Sequence, residues 1–115
     1  MIKERVDFAE VGTLTLSNGA NNDIVLADAE IFEITGPSGA FNITGFSAPS
    51  GSRRITIRNT TSQNMTITND ATSTAANRIY TQTSADVALT GTGGCSADFY
   101  YSVASSRWIM LGTQG

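Results

Sequence analysis

The sequence predicts an all-β fold: an antiparallel β-sandwich of jelly-roll-like form, or a small barrel. Three observations predict it. Short runs of apolar and Thr residues return about every eleven residues with polar turns between them, the spacing of strands in sandwiches and barrels. Within the clearest runs apolar and polar side chains alternate, the period of a half-buried strand. No segment is long enough and amphipathic enough to make a stable helix.

The elements follow in order. Residues 1–10 mix charge with Ile2, Val6 and Phe8 and read as a short strand or an N-terminal arm, a candidate docking segment; residues 11–115 read as a single β domain. Thr13–Leu16 alternates. The Asn18-Gly19 step after it is a turn signal, because both residues tolerate positive φ. Ile24–Leu26 resumes extended structure. Ile31–Thr35 is a strand ended by Gly36-Pro37-Ser38-Gly39, and Phe41–Thr44 is the next. Arg53–Asn59 is the cleanest, with Ile55 and Ile57 on one face and Arg54, Thr56 and Arg58 on the other. Met65–Thr68 repeats it after the polar turn Thr60–Asn64, so the two are expected to pair as a hairpin. Asp70–Asn77 is small and polar, a loop or at most one helical turn. Ile79–Gln82, Val87–Thr90, Phe99–Val103 and Trp108–Leu111 complete the set. Phe99, Tyr101 and Val103 are expected in the core and Tyr100 and Ser102 outside. The steps from Ile34 to Ile43, Ile57 to Ile67 and Ile67 to Ile79 are uneven, which favours a closed sandwich or barrel over a solenoid.

At 115 residues the chain is one domain of ordinary size. Hydrophobic residues make up 40% and charged residues only 15%, against about 25% in average domains. Their place is taken by 16 Thr, 12 Ser, 8 Asn and 11 Gly. That mixture suits strands with a wet Thr face and turns built from Asn, Gly and Ser. It fits surfaces that bury against copies of the same chain, surfaces that stay inert, and a plainly solvated β domain alike. The net charge is −3, and Arg53, Arg54 and Arg58 form only a small positive cluster. A nucleic-acid footprint needs a basic stripe, so none is expected. No run is long and apolar enough to suggest a membrane span, and the first residues lack the apolar core of a signal peptide.

The residue inventory argues against catalysis. There is no His, which removes imidazole from metal sites and acid–base pairs. The lone Cys95 has no such base to activate it and reads as an inert thiol. Asp28, Glu30 and Glu33 lie close in sequence but lack the spacing of a calcium loop. Gly91-Thr92-Gly93-Gly94 lacks the Lys and the helix of a phosphate loop and reads as a turn. Neither a cofactor nor a metal is expected. Tyr80, Tyr100 and Trp108 are the candidate glycan or partner contacts, since exposed aromatic rings stack on sugars.

The order of several short motifs carries a resemblance. Arg54-Ile-Thr-Ile-Arg-Asn59, Met65-Thr-Ile-Thr-Asn69, Ser73-Thr-Ala-Ala-Asn-Arg-Ile79, the stretch Gly94–Tyr101 and the closing Ser106-Arg-Trp-Ile-Met-Leu111 come in the order of a β-rich module of tailed-bacteriophage virion proteins, which this chain resembles. Thr35-Gly-Pro37 and Phe41-Asn-Ile-Thr-Gly45 are similar to its first half. The resemblance implies a non-enzymatic structural part, usually a homotrimer, resident in the virion and made in the host cytoplasm. A chain of this length beginning at Met1 is expected to be a capsid decoration (cement) or head-fibre protein, bound to the major capsid protein or another virion protein. The alternative is a tail-fibre tip contacting host surface glycan.

Overall fold

The computed structural model describes residues 10–91 and 94–114. The N-terminal arm expected at residues 1–10 lies, but for Glu10, outside the described residues. The rest is all-β, with ten strands and a single 3-10 turn at Ala75–Asn77 among the described residues. The strands are β1 (Val11–Thr15), β2 (Gly19–Asn21), β3 (Ile31–Thr35), β4 (Phe41–Ile43), β5 (Arg54–Asn59), β6 (Met65–Ile67), β7 (Ile79–Tyr80), β8 (Val87–Leu89), β9 (Ser96–Ser102) and β10 (Arg107–Gln114). They form a six-stranded sheet in the order β1-β3-β5-β9-β10-β7 and a four-stranded sheet in the order β2-β4-β6-β8. Side chains from both sheets share one apolar core.

The sheets are mixed, and this corrects the antiparallel expectation. The first six strands coil: each turn lays one strand in the large sheet and the next in the small one. Val11 therefore stands beside Ile31, and Ile31 beside Thr56, all in parallel register. In the small sheet Gly19, Phe41 and Met65 align in the same way. Ile24 and Phe46 form a further parallel bridge between the first two turns. The direction then reverses, with β9 running antiparallel to β5 and β8 antiparallel to β6. β10 returns antiparallel along β9 and takes β7 in parallel on its far side.

The uneven spacing of the apolar runs is no obstacle to a coil. The connections absorb the extra residues while the strands keep register. Neither sheet closes on itself among the described residues: β1 and β7 end the large one, β2 and β8 the small one. A closed barrel is therefore corrected as well.

The hairpin expected between residues 53–59 and 65–68 does not form, because β5 and β6 lie in different sheets. Asn59 accounts for the corner. Its side chain is fully buried. Its Oδ1 accepts from the Thr61 N–H at 3.0 Å and the Thr61 hydroxyl at 2.7 Å, and its Nδ2 donates to the Gln63 carbonyl at 2.7 Å. The side chain thus holds the turn that carries the chain across the core, using local bonding typical of Asn in turns.

The core is built by alternation. Phe32 and Ile34 of β3, Phe41 and Ile43 of β4, Ile55 and Ile57 of β5, and Met65 and Ile67 of β6 are all buried. Phe46, Phe99, Tyr101 and Trp108 add an aromatic cluster of edge-to-face pairs, with centroids 5.3–5.4 Å apart. Such geometry sets the positive ring edge against the negative face of its neighbour. Val103, expected in the core, is 59% exposed. β9 ends at Ser102, and the chain turns there before the alternation reaches Val103.

Candidate functional site

The outer face of the six-stranded sheet is exposed across adjacent strands. Side chains that alternate with the core residues point out from it. Register places Arg54 of β5 beside Tyr100 of β9, Tyr100 beside Ile109 of β10, and Ile109 beside Tyr80 of β7. These four residues make a row across four adjacent strands. With strands about 4.8 Å apart, the two tyrosines sit about 10 Å from each other. Tyr80 is 39% exposed and Tyr100 is 37% exposed.

Charge is distributed unevenly along this face. The Arg107 guanidinium lies 5.2 Å from the centre of the Tyr80 ring, a cation–π contact. Its Nε donates to Asp70 at 2.9 Å, and this bond holds the guanidinium proton more firmly than usual. Arg78 stands 3.9 Å from the same carboxylate. Arg58 pairs with Glu33 at 3.0 Å, and Thr56 donates to Asp98 at 2.6 Å. Arg54 is exposed and has no ion-pair partner among the described residues. It flanks a hollow of about 230 Å³ lined also by Glu30, Ile31, Ile55 and Thr56.

The structure brings two of the three sequence candidates together and separates the third. Tyr80 and Tyr100 share the outward row. Trp108 does not: it is fully buried, and its indole N–H donates to the Phe46 carbonyl at 2.9 Å. This corrects its assignment as a contact residue. The reason is parity along β10, where Trp108 and Met110 face the core and Arg107, Ile109 and Leu111 face out. Sequence reasoning missed Arg54 and Ile109 as members of the row. Their outward parity is visible in the alternation, but their neighbourhood depends on strand register, which a single strand does not encode.

A second cluster gathers polar groups where the turns of the coil meet. The Thr44 hydroxyl lies 2.7 Å from the Ser73 hydroxyl and donates to Asn22 Oδ1 at 2.6 Å. The Asp23 N–H donates to Ser73 Oγ at 2.8 Å. Asp23 Oδ1 accepts from Asn77 Nδ2 and from the Thr74 N–H, each at 2.8 Å. The Asn77 amide first, and then the Thr74 N–H, hold the Asp23 carboxyl below its ordinary value. Every group here is taken up by another, so the cluster works as a tie between three segments distant in sequence.

The remaining candidates are also placed. Cys95 is fully buried, with its Sγ 3.7 Å from Asn59 Nδ2. Glu33 is paired with Arg58, and Glu30 accepts from the Glu10 N–H at 3.3 Å. Among the described residues no three His, Cys, Asp or Glu side chains converge as a metal site would require. At the end of the coil, β1, β2 and the residues up to Val25 line an open hollow of about 550 Å³. No family model, no curated protein and no solved structure matches this chain.

Proposed function

We propose that this chain is a non-enzymatic structural protein of a tailed-phage virion, a capsid decoration (cement) or head-fibre protein. It works by packing surfaces together, first against two copies of itself as a homotrimer and then against the major capsid protein or another virion protein. The observation that supports this reading is the row Arg54–Tyr100–Ile109–Tyr80 on the open face of the large sheet. Tyr and Arg are among the residues most enriched as interface anchors. Tyr buries a large rigid ring at small entropic cost, and Arg adds a planar donor fork that stacks and hydrogen-bonds. Two facing sheets over one core support a sandwich as the building block. The order of motifs in the sequence supports the phage assignment.

Sedimentation equilibrium at micromolar concentration tests the association, with a mass that is a multiple of three chains expected. A stable monomer, or a mass that is no multiple of three chains, overturns it. Co-sedimentation with phage particles lacking the protein tests the attachment, and protein left in the supernatant overturns that.

A second reading is favoured by the two exposed tyrosines about 10 Å apart. They would offer stacking positions to successive sugar rings in a receptor-binding tip. A glycan array on which the protein gives no signal overturns this reading and leaves the structural one standing.

A further inference from the structure

The two ends of the coil differ. At the far end the chain covers itself, with β9 laid on β5 and β8 on β6. At the near end β1 and β2 are the outer strands of both sheets, and no described strand lies beyond them.

The backbone at that end can be read group by group. Ile31 N donates to the Glu10 carbonyl at 3.1 Å, and Leu16 N donates to the Thr35 carbonyl at 2.9 Å. Successive residues of a strand face opposite sides, so Gly12 and Leu14 also face β3. The N–H and C=O groups of Val11, Thr13 and Thr15 point away from the sheet. In β2, Gly19 N donates to the Ala40 carbonyl and the Asn21 carbonyl accepts from Thr44 N, each at 3.1 Å. The N–H and C=O of Ala20 are therefore left on the open side.

Free edges are normally guarded by charge, proline or a bulge, and solenoid ends by a polar cap. Here Val11–Asn22 contains no charged residue and no proline. β1 pairs with β3 in unbroken register, so there is no bulge. The apolar residues beneath are incompletely covered: Leu14, Leu16 and Ile24 keep 7–9% exposure, whereas Ile34 and Ile43 one turn deeper keep none.

We propose that this end of the coil is a self-association surface, on which two copies meet end to end about a two-fold axis. β1 runs antiparallel to the partner's β1. β1 has five residues with Thr13 at the centre, so one register alone pairs all three outward residues. Thr13 stands opposite the partner's Thr13, and Val11 opposite the partner's Thr15. A second copy is the occupant that fits, because among the described residues the edges of two sheets are open at once. An added peptide strand covers one edge. An axis passing through both sheets continues both, bringing β2 to the partner's β2 by the same rotation. The pairing is separate from the lateral trimer proposed above and combines with it.

Thr13→Pro tests it. The substitution removes an N–H from the open side and none from the β1–β3 ladder, a position that edge strands tolerate. The wild-type particle is expected to have twice the mass of the Thr13→Pro particle by multi-angle light scattering. Equal masses overturn the proposal. The mass of the variant itself reports the trimer, so the two readings fail separately.

Cross-linking tests the register without weakening the fold. Opposed residues of a hydrogen-bonded antiparallel pair lie about 5.5 Å apart at Cα, within reach of a disulfide. Under mild oxidation Thr13→Cys is expected to give a covalent dimer and Thr15→Cys none, while Val11→Cys with Thr15→Cys restores it. No dimer from Thr13→Cys, or one from Thr15→Cys alone, overturns the pairing as stated. Wild-type protein, whose one thiol is the buried Cys95, is the control.

Discussion

Trp108 and Phe46 are joined twice. The indole N–H donates to the Phe46 carbonyl at 2.9 Å, and the two rings meet edge to face with centroids 5.4 Å apart. One residue belongs to the last strand and the other to the second turn of the coil, so the pair ties the closing segment to the part of the chain it covers. Trp108→Phe keeps an aromatic ring but leaves the buried carbonyl unpaired and part of the volume empty. A loss of about 2–4 kcal/mol is expected, measured by urea unfolding. A midpoint and slope equal to the wild type would show that the bond contributes nothing.

Asn59→Ala should be costly for a different reason. The side chain is wholly buried and meets the Thr61 N–H, the Thr61 hydroxyl and the Gln63 carbonyl. Alanine leaves these without their partner at the corner between the sheets. A loss of about 2–3 kcal/mol is expected in guanidinium unfolding, against a near-neutral change for the exposed Gln82→Ala.

Gly45 has its α-carbon pressed against the polar tie. A methyl group there would meet the Asn77 carbonyl and the Ser73 side chain at closer range than van der Waals contact allows. Gly45→Ala is expected to destabilise by about 1–3 kcal/mol through overpacking. Gly51→Ala, where the added carbon meets nothing, is the control in the same thermal scan.

The Asp23 carboxyl is held below its ordinary value by Asn77 and then Thr74. The ionised form is therefore favoured in the folded state. Its stabilisation is fully present above the unfolded value of about 3.9 and is lost as pH falls through the lower folded value. Asp23→Asn, which keeps the oxygen acceptor, should reduce the fall in melting temperature between about pH 5 and pH 2. An unchanged acid limb in the two proteins would remove Asp23 from the account.

Tyr100→Ala probes function and leaves the core alone. The ring faces outward in the middle of the exposed row, so stability should change by no more than about 0.5 kcal/mol. Association should weaken, with the sedimentation profile shifting toward a smaller species at the same concentration. An unchanged profile would move the self-association surface away from this face.

The strands were legible in the sequence because each carries its own signal. The alternation of Ile55 and Ile57 with Thr56 and Arg58 identifies β5 whatever lies beside it. The turn at Thr60–Asn64 was legible as a turn, but whether it returns the chain to the same sheet or carries it to the opposite one depends on how the buried Asn59 amide bonds. No period in the sequence records that. β2 was missed since Gly19-Ala20-Asn21 has no side chains to bury, and it is extended only because it bonds to β4. Val103 was misplaced because alternation runs on past the point where β9 stops. Of the exposed site, Tyr80 and Tyr100 were legible as aromatics. That they share a row, and that Trp108 turns its back on it, follows from register and parity fixed by pairing across the whole sheet.

The reversal of strand direction after β6 has a consequence for how the molecule is made. β1 to β6 each pair with a neighbouring turn, so they can assemble as they are synthesised. The second partner of β5, on the side away from β3, is β9, and the bond to the Phe46 carbonyl comes from Trp108. A growing chain on the ribosome therefore exposes the outer edges of β5 and β6 until β8 and β9 emerge. Native closure is a late step set by long-range loop closure, and the interval before it is when nascent copies are most open to joining one another wrongly.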